Sequence, residues 1–461
     1  MISVFLLLGL AAFAHRNWFY LPEPPVAQLH FPGTSALWVL HQNMLFHDGV
    51  ERLPRTAQAA LVWLGIGAGD PVKDCEAMLR DTIACLDPGR GDPAGPDHLR
   101  ANLIILLAER SSLSNALSEL PRLSPSNAAN QFRDAFAAAY GTNVTRHHGR
   151  TPVPELELLS GWAAWRFSAR WLSVTGQSAE LKEHLASIAY GERRQIWPPI
   201  MLFTLAGVVQ MAGLLAGLLW ATNSSFRRVL PPALAGPPWS AREYWGLFSL
   251  GYLLGLISEW CFIHAPGFGQ LAWLNHCLFW GLPTLLLLGW RHWIRDPVSF
   301  REFFGIPLRP QSAVGLALAA VILFAVAWGS LAWVPAFVDA LGFKSHWAES
   351  YDEVLRDWPW VGKLLYLCDG MIYGPFFEEI IYRGLLFGAL RRRFSAYPAA
   401  ALSAVIFGGT HFYSLPGFLG VTCFGFCCAV AREKTGSLLP SITVHMFTNF
   451  ILFGSATLTS L

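Results

Sequence analysis

Charged residues are scarce in this chain. They make up 14% of its 461 residues, whereas hydrophobic residues make up 53%. An ordinary soluble protein has about 25% charged residues, so this composition favours a lipid bilayer as the solvent. The formal net charge of +2 gives no general electrostatic attraction toward nucleic acid. We therefore expect a membrane protein that is surrounded by lipid and has no nucleic-acid partner.

A disulfide framework is also missing. Six of the eight cysteines fall in apolar segments, where a free thiol behaves as a small hydrophobic side chain. Only Cys75 and Cys85 lie in a polar region. These two could pair if that region were extracytoplasmic.

The apolar run at the N terminus, residues 1–14, has no Lys or Arg before it. A helix of that length covers about 21 Å, which is less than the roughly 30 Å of the hydrocarbon core. We expect residues 1–19 to form either an N-terminal anchor or an atypical signal-like segment, and the residues leave both open.

Residues 20–197 carry frequent charges and short apolar runs that are spaced for amphipathic helices. Clusters of Pro, Gly and Ser at 87–96 and 121–126 separate these helices. Ser126 is placed to cap a helix that starts at Asn127. The pattern predicts a helical extramembrane domain.

From Pro198 onward the chain consists of long apolar stretches, each close to the length that a bilayer requires. The predicted fold is all-α, a polytopic transmembrane helix bundle with an N-terminal helical extramembrane domain. Residues 198–311 would form accessory helices and residues 312–461 the core. About eight transmembrane helices are expected, at residues 198–221, 244–264, 269–290, 312–336, 360–390, 397–413, 416–431 and 438–458.

Basic residues are concentrated in alternate loops between these helices. Twelve Lys and Arg residues fall in four loops, at residues 222–243, 291–311, 391–396 and 432–437. The other loops hold only Lys344 and Arg356. The positive-inside rule places the four basic loops in the cytoplasm. It predicts a multi-pass protein of the cell membrane, with residues 20–197 and the C terminus on the outer side.

Two adjacent carboxylates, Glu378 and Glu379, lie deep in the apolar helix predicted at 360–390. Each costs about 2.5–3.5 kcal/mol near the centre of the bilayer on insertion scales, so each needs a partner or a function. Glu379 and Arg383 are four residues apart, share a helix face and can pair. Glu378 points about 100° away from that face and lacks this partner, which makes it the candidate for proton chemistry.

Three more polar residues, His411, His445 and Asn449, fall in the last apolar helices. Counted from the cytoplasmic helix ends, they and Glu378 lie about 10–21 Å deep at 1.5 Å per residue. Buried His and Asn often serve only as hydrogen-bond links between helices. Their similar depth instead favours a common site.

The ordered set Glu378-Glu379-x-x-x-Arg383, Phe407-x-x-x-His411 and His445-x-x-x-Asn449 resembles the CAAX prenyl endopeptidase and bacteriocin-processing family, also called CPBP or Abi. The resemblance covers roughly residues 312–458. It implies a bundle of transmembrane helices with an active site open to the cytosol. It also implies an intramembrane peptidase that acts on a peptide or membrane-protein substrate.

Carried onto this chain, the resemblance makes Glu378 the base that activates a water molecule, with His411 helping to bind that water. His445 and Asn449 would form the oxyanion site. Glu379 and Arg383 would be supporting residues, and no cofactor is expected.

Three alternatives stay open. A zinc-dependent protease could use the same residues, because Glu and His are zinc ligands, although the chain lacks H-E-x-x-H and Asn is a poor zinc ligand. A non-catalytic membrane scaffold or immunity protein could keep the same fold. A transporter could use the buried carboxylates as a proton relay, but that function predicts an inverted repeat, and none is apparent.

Overall fold

A computed structural model describes most of the chain. The described residues are 31–63, 70–86, 92–141, 151–224, 239–264, 281–294, 300–306, 310–343, 345, 359–411 and 413–460. Within these ranges the regular structure is helical and no strand occurs, as the all-α prediction requires. The segment at residues 1–19, predicted as an anchor or signal-like segment, lies outside the described residues.

The described residues form two compact units, residues 31–201 and residues 202–457. The first contains helices α1 to α7 and the start of α8. Their bounds are Pro32–Glu51 (α1), Arg55–Trp63 (α2), Pro71–Cys85 (α3), Pro96–Arg110 (α4), Leu113–Glu119 (α5), Asn127–Tyr140 (α6), Gly161–Val174 (α7) and Ser178–Thr222 (α8).

Two sets of polar contacts stabilise the first unit, a helix cap at Ser126 and an ion-pair network around Asp48. The Ser126 side chain accepts a hydrogen bond from the backbone N–H of Ala129 at 3.1 Å and caps α6, as predicted. The buried Asp48 carboxylate pairs with Arg110 and Arg166. It also accepts a hydrogen bond from Trp162 Nε1 at 2.7 Å. Because a buried charge needs such partners, this network links α1, α4 and α7.

Cys75 and Cys85 do not pair; both are free thiols. They lie ten residues apart on the single helix α3. At 1.5 Å per residue they are separated by about 15 Å along the axis, beyond the Cα separation of about 7 Å that a disulfide tolerates. The possible disulfide is therefore excluded by the helix itself.

The second unit contains the remaining helices and the predicted site. Its helices are Ala241–His264 (α9), Leu282–Ile294 (α10), Phe300–Phe304 (α11), Pro310–Ala340 (α12), residues 360–391 (α13), Ala396–Gly409 (α14), Leu415–Thr435 (α15) and Leu439–Ser460 (α16). Apart from α11, which lies in the predicted loop 291–311, these helices overlap the predicted apolar stretches. The first part of the predicted helix 269–290 lies outside the described residues.

Four helices in the described part of the chain are long and apolar enough to cross a membrane by length and composition. They are Ser178–Thr222, Ala313–Ala340, Leu415–Thr435 and Leu439–Leu458. On α8 the side chains of Trp197 and Trp220 are 52% and 41% exposed. The two residues are 23 positions apart, which spans about 34 Å, close to the hydrocarbon thickness, and tryptophan favours both interfaces. The chain is therefore a membrane protein with several spans.

Helix α13 is continuous but not uniform. Two segments, Asp369–Tyr373 and Glu379–Leu386, have π-helical hydrogen bonding. The first lies directly before Gly374 and Pro375, where the proline lacks the N–H that a regular α-helix would use. Single π-helical turns inside α-helices occur often at functional sites. Here the first segment ends five residues before Glu378, and the second begins at Glu379.

Several helix ends differ from the sequence expectation by four residues or more, and two of these differences concern the boundary between the units and the site. Helix α8 begins at Ser178 and not near residue 198, because the polar residues before the span continue the same helix. Helix α14 ends at Gly409 and not at residue 413. His411 therefore lies in the turn after the helix and not on its face.

Candidate active site

The site begins with a buried ion pair on α13. Arg383 Nη1 lies 3.1 Å from Glu379 Oε1, and neither side chain is exposed. The i,i+4 pair predicted from the sequence is present. Since each charge costs several kcal/mol to bury alone, this pairing is what allows both groups to lie inside the bundle.

His445 on α16 joins this pair to the second carboxylate. Its Nδ1 lies 2.9 Å from Glu379 Oε1, and its Nε2 lies 3.6 Å from Glu378 Oε2. Glu378 is partly accessible, with 18% of its side chain exposed. The ion pair of Arg383 is with Glu379, while His445 is placed between the two carboxylates, because one imidazole is wide enough to reach both.

Phe407 on α14 lies under the guanidinium of Arg383. The Arg383 Cζ is 4.0 Å from the centre of the ring, within cation–π range. Gly425 on α15 closes the other side, because a Cβ there would be 2.8 Å from Arg383 Nη2 and 2.9 Å from Phe407 Cδ1. Residue 425 must therefore lack a side chain for the stack to form.

His411 is held by the end of α14. Its Nδ1 lies 2.9 Å from the Phe407 backbone oxygen. A carbonyl can only accept, so Nδ1 carries the proton, and in the neutral ring Nε2 is an acceptor. The same oxygen also accepts hydrogen bonds from the backbone N–H of Thr410 at 3.2 Å and from Thr410 Oγ1 at 2.7 Å, so a shared carbonyl in the last turn of α14 fixes His411. His411 lies within electrostatic range of Glu378.

Asn449 contacts the first π-helical segment. Its Nδ2 donates a hydrogen bond to the Gly370 oxygen at 2.8 Å. Ser403 Oγ makes the matching bond in the second segment, to the Tyr382 oxygen at 2.9 Å. A carbonyl released from regular helical bonding needs another donor, and each segment receives one from a neighbouring helix. Asn449 has two N–H groups, and this bond uses one of them.

The cluster sets two carboxylates, Glu378 and Glu379, against the guanidinium of Arg383 and the imidazole of His445. Glu379 Oε2 and the guanidinium nitrogens of Arg383 make no hydrogen bond to the described residues, so the cluster relies on charge and on the aromatic ring.

The Glu and His side chains of this site are also the candidates for a zinc centre. A catalytic zinc uses three protein ligands. In the described ranges, no three His, Cys, Asp or Glu side chains converge as a metal ion would require. As arranged, these side chains do not fit a zinc centre.

The structure brings five of the predicted site residues together: Glu378, Glu379, Arg383, His411 and His445. Asn449 instead donates a hydrogen bond to the backbone of the first π-helical segment, at Gly370. Sequence reasoning gave no role to Gly425 or to the ring of Phe407. The Phe407-x-x-x-His411 motif contained the signal for the ring. The sequence contained no signal for Gly425, because the need for a glycine arises from the packing of α15 against α13 and α14.

Comparisons with known proteins give two matches. Residues 360–451 match the family model described as type II CAAX prenyl endopeptidase Rce1-like. The curated protein "Putative membrane peptidase YdiL" from Bacillus subtilis (strain 168) is 26% identical over 203 residues. The aligned region covers 44% of this chain and 77% of that protein. No solved structure gives a significant match.

The two matches confirm the resemblance to a CPBP/Abi-type family that the three motifs predicted. They support a membrane protease at the level of the family. The family match, residues 360–451, begins with α13, ends inside α16 and includes every residue of the candidate site.

Proposed function

We propose that this protein is an intramembrane endopeptidase that hydrolyses a peptide bond near the cytoplasmic side of the membrane. The observation that carries the proposal is the His445 imidazole, which faces Glu378 through one nitrogen and Glu379 through the other. It places a partly accessible carboxylate beside an oriented imidazole inside an apolar bundle.

Glu378 acts as the base. Its carboxylate takes a proton from a water molecule, and the hydroxide oxygen bonds to the substrate carbonyl carbon. The carbon–nitrogen bond of the resulting tetrahedral intermediate then breaks, and Glu378 returns the proton to the leaving amine. His411, whose Nε2 accepts a hydrogen bond when the ring is neutral, helps to hold the water.

His445 and Asn449 stabilise the oxyanion. The Nε2–H of His445 and the second N–H of Asn449 are the donors for the developing charge. Preorganised donors of this kind contribute about 2.7–4 kcal/mol each to transition-state stabilisation. Glu379 accepts from Nδ1 of His445 and so fixes the direction of Nε2.

The apolar helices around the site support a peptide or a membrane protein as the substrate. The basic residues at the ends of α13 and α15, Arg391, Arg392, Arg393 and Lys434, support a cytoplasmic location for this end. Neither the proposed chemistry nor the donor arrangement requires a cofactor.

The experiment compares protein N and C termini in cells that express the wild-type chain or Glu378→Gln. Glutamine keeps the shape of the side chain and cannot take the proton. The proposal predicts new termini that appear with the wild-type protein and disappear with the variant at equal membrane abundance. Identical termini would instead support a non-catalytic scaffold.

A further inference from the structure

Phe407 occupies the centre of the site, although it carries no ionisable group. Its ring is 1% exposed. Arg383 lies over its face at 4.0 Å. The imidazoles of His411 and His445 pack against it in T-shaped geometry, with ring centres 4.8 and 5.9 Å away. The Phe407 side chain thus contacts His411, His445 and the Arg383 guanidinium, which pairs with Glu379.

The Arg383 charge depends on this ring. The guanidinium is fully buried, its ion-pair partner is Glu379, and its nitrogens make no hydrogen bond to the described residues. The negative face of an aromatic ring attracts a desolvated cation. The ring therefore holds the Arg383 guanidinium in a position from which Glu379 Oε1 can contact both Arg383 and His445.

We propose that Phe407 is a positioning residue, which uses cation–π contact with Arg383 to keep Glu379 against Nδ1 of His445. This inference rests on the proposed peptidase function. If Arg383 moved off the ring, Glu379 would follow its counter-ion, and His445 would lose the bond that directs Nε2.

The test replaces Phe407 by phenylalanines that carry one, two or three fluorine atoms. Fluorine withdraws electrons from the ring face and changes its size little, so packing is kept while the cation–π contact weakens in steps. We expect the kcat for a peptide that spans a cleavage site found in the termini comparison to fall with each fluorine, by about tenfold over the series. KM should stay unchanged.

The matched control is the same series at Phe324. That ring is also buried but packs against Trp328 and Phe447, with no cation on its face among the described contacts. Its fluorination should leave kcat unchanged. A second variant, Gly425→Ala, forces Arg383 and Phe407 apart by sterics and should lower kcat in the same way.

Thermal midpoints measured in detergent separate the possible failures. The Phe407 series should lower the midpoint in steps in the wild-type background and not in an Arg383→Met background. Thermal midpoints that do not change along the Phe407 series would overturn the cation–π contact between Phe407 and Arg383. Graded midpoints with unchanged kcat would overturn the positioning role and leave the proposed function intact. Identical termini with wild-type and Glu378→Gln protein would overturn the proposed function and, with it, the positioning role.

Discussion

The imidazole of His445 stands between the carboxylates of two adjacent residues, with Nδ1 2.9 Å from Glu379 Oε1 and Nε2 3.6 Å from Glu378 Oε2. Each nitrogen faces a different carboxylate, so replacing either glutamate disturbs a different side of the ring. Experiments should therefore separate the roles of the two glutamates. Replacing Glu378 should affect the chemical step, and replacing Glu379 should affect the stability of the protein and the orientation of His445.

Replacing Glu379 by Leu should lower the free energy of unfolding by about 3–5 kcal/mol, because Arg383 is left as a buried unpaired charge. Adding Arg383→Met should recover most of that loss, since an apolar pair can replace a buried ion pair. The kcat should stay about 10²-fold low in both variants, because His445 remains misdirected. Unfolding curves and cleavage rates for the single and double variants test this, and recovery of kcat in the double variant would contradict it.

Asn449→Ala should lower kcat by about 10²–10³-fold with little change in KM, because it removes an oxyanion donor. Ser403→Ala is the matched control. It also removes a side-chain bond to a carbonyl of a π-helical segment, and such a loss costs about 1–3 kcal/mol of stability. Equal effects of the two variants on kcat would reduce Asn449 to a support for the α13 backbone.

The positions of the helices could be predicted because each span requires a long apolar stretch. The i,i+4 pair of Glu379 and Arg383 followed from helix geometry alone. The contact of His445 with both glutamates could not be predicted, because it depends on how α16 packs against α13. The end of α14 was also missed, since the apolar run continues past Gly409 while the backbone turns.

The arrangement of loops across the membrane gives a separate prediction. A cysteine introduced for Arg393, which is exposed in the turn after α13, should react with an impermeant thiol reagent only after cells are permeabilised. A cysteine in place of Leu341, which is 62% exposed after α12, should react in intact cells. The opposite pattern would reverse the orientation and place the site toward the outer side.

Thiol reactivity tests the packing of the first unit. Burial raises the pKa of the Cys75 thiol to about 12, so almost no reactive thiolate exists at pH 8. Cys85 is less buried. Iodoacetamide at pH 8 should therefore modify Cys85 and spare Cys75 until the protein is unfolded, as peptide mapping would show. Equal modification in the folded protein would mean that α3 does not pack as described.

The most direct test of the central claim uses purified protein in liposomes with a peptide that spans a cleavage site from the termini comparison. Wild-type protein should cleave the peptide, and Glu378→Gln should reduce cleavage to the level of empty liposomes while its unfolding midpoint stays unchanged. Cleavage by the Glu378→Gln protein at the wild-type rate would show that Glu378 is not the base and would contradict the account.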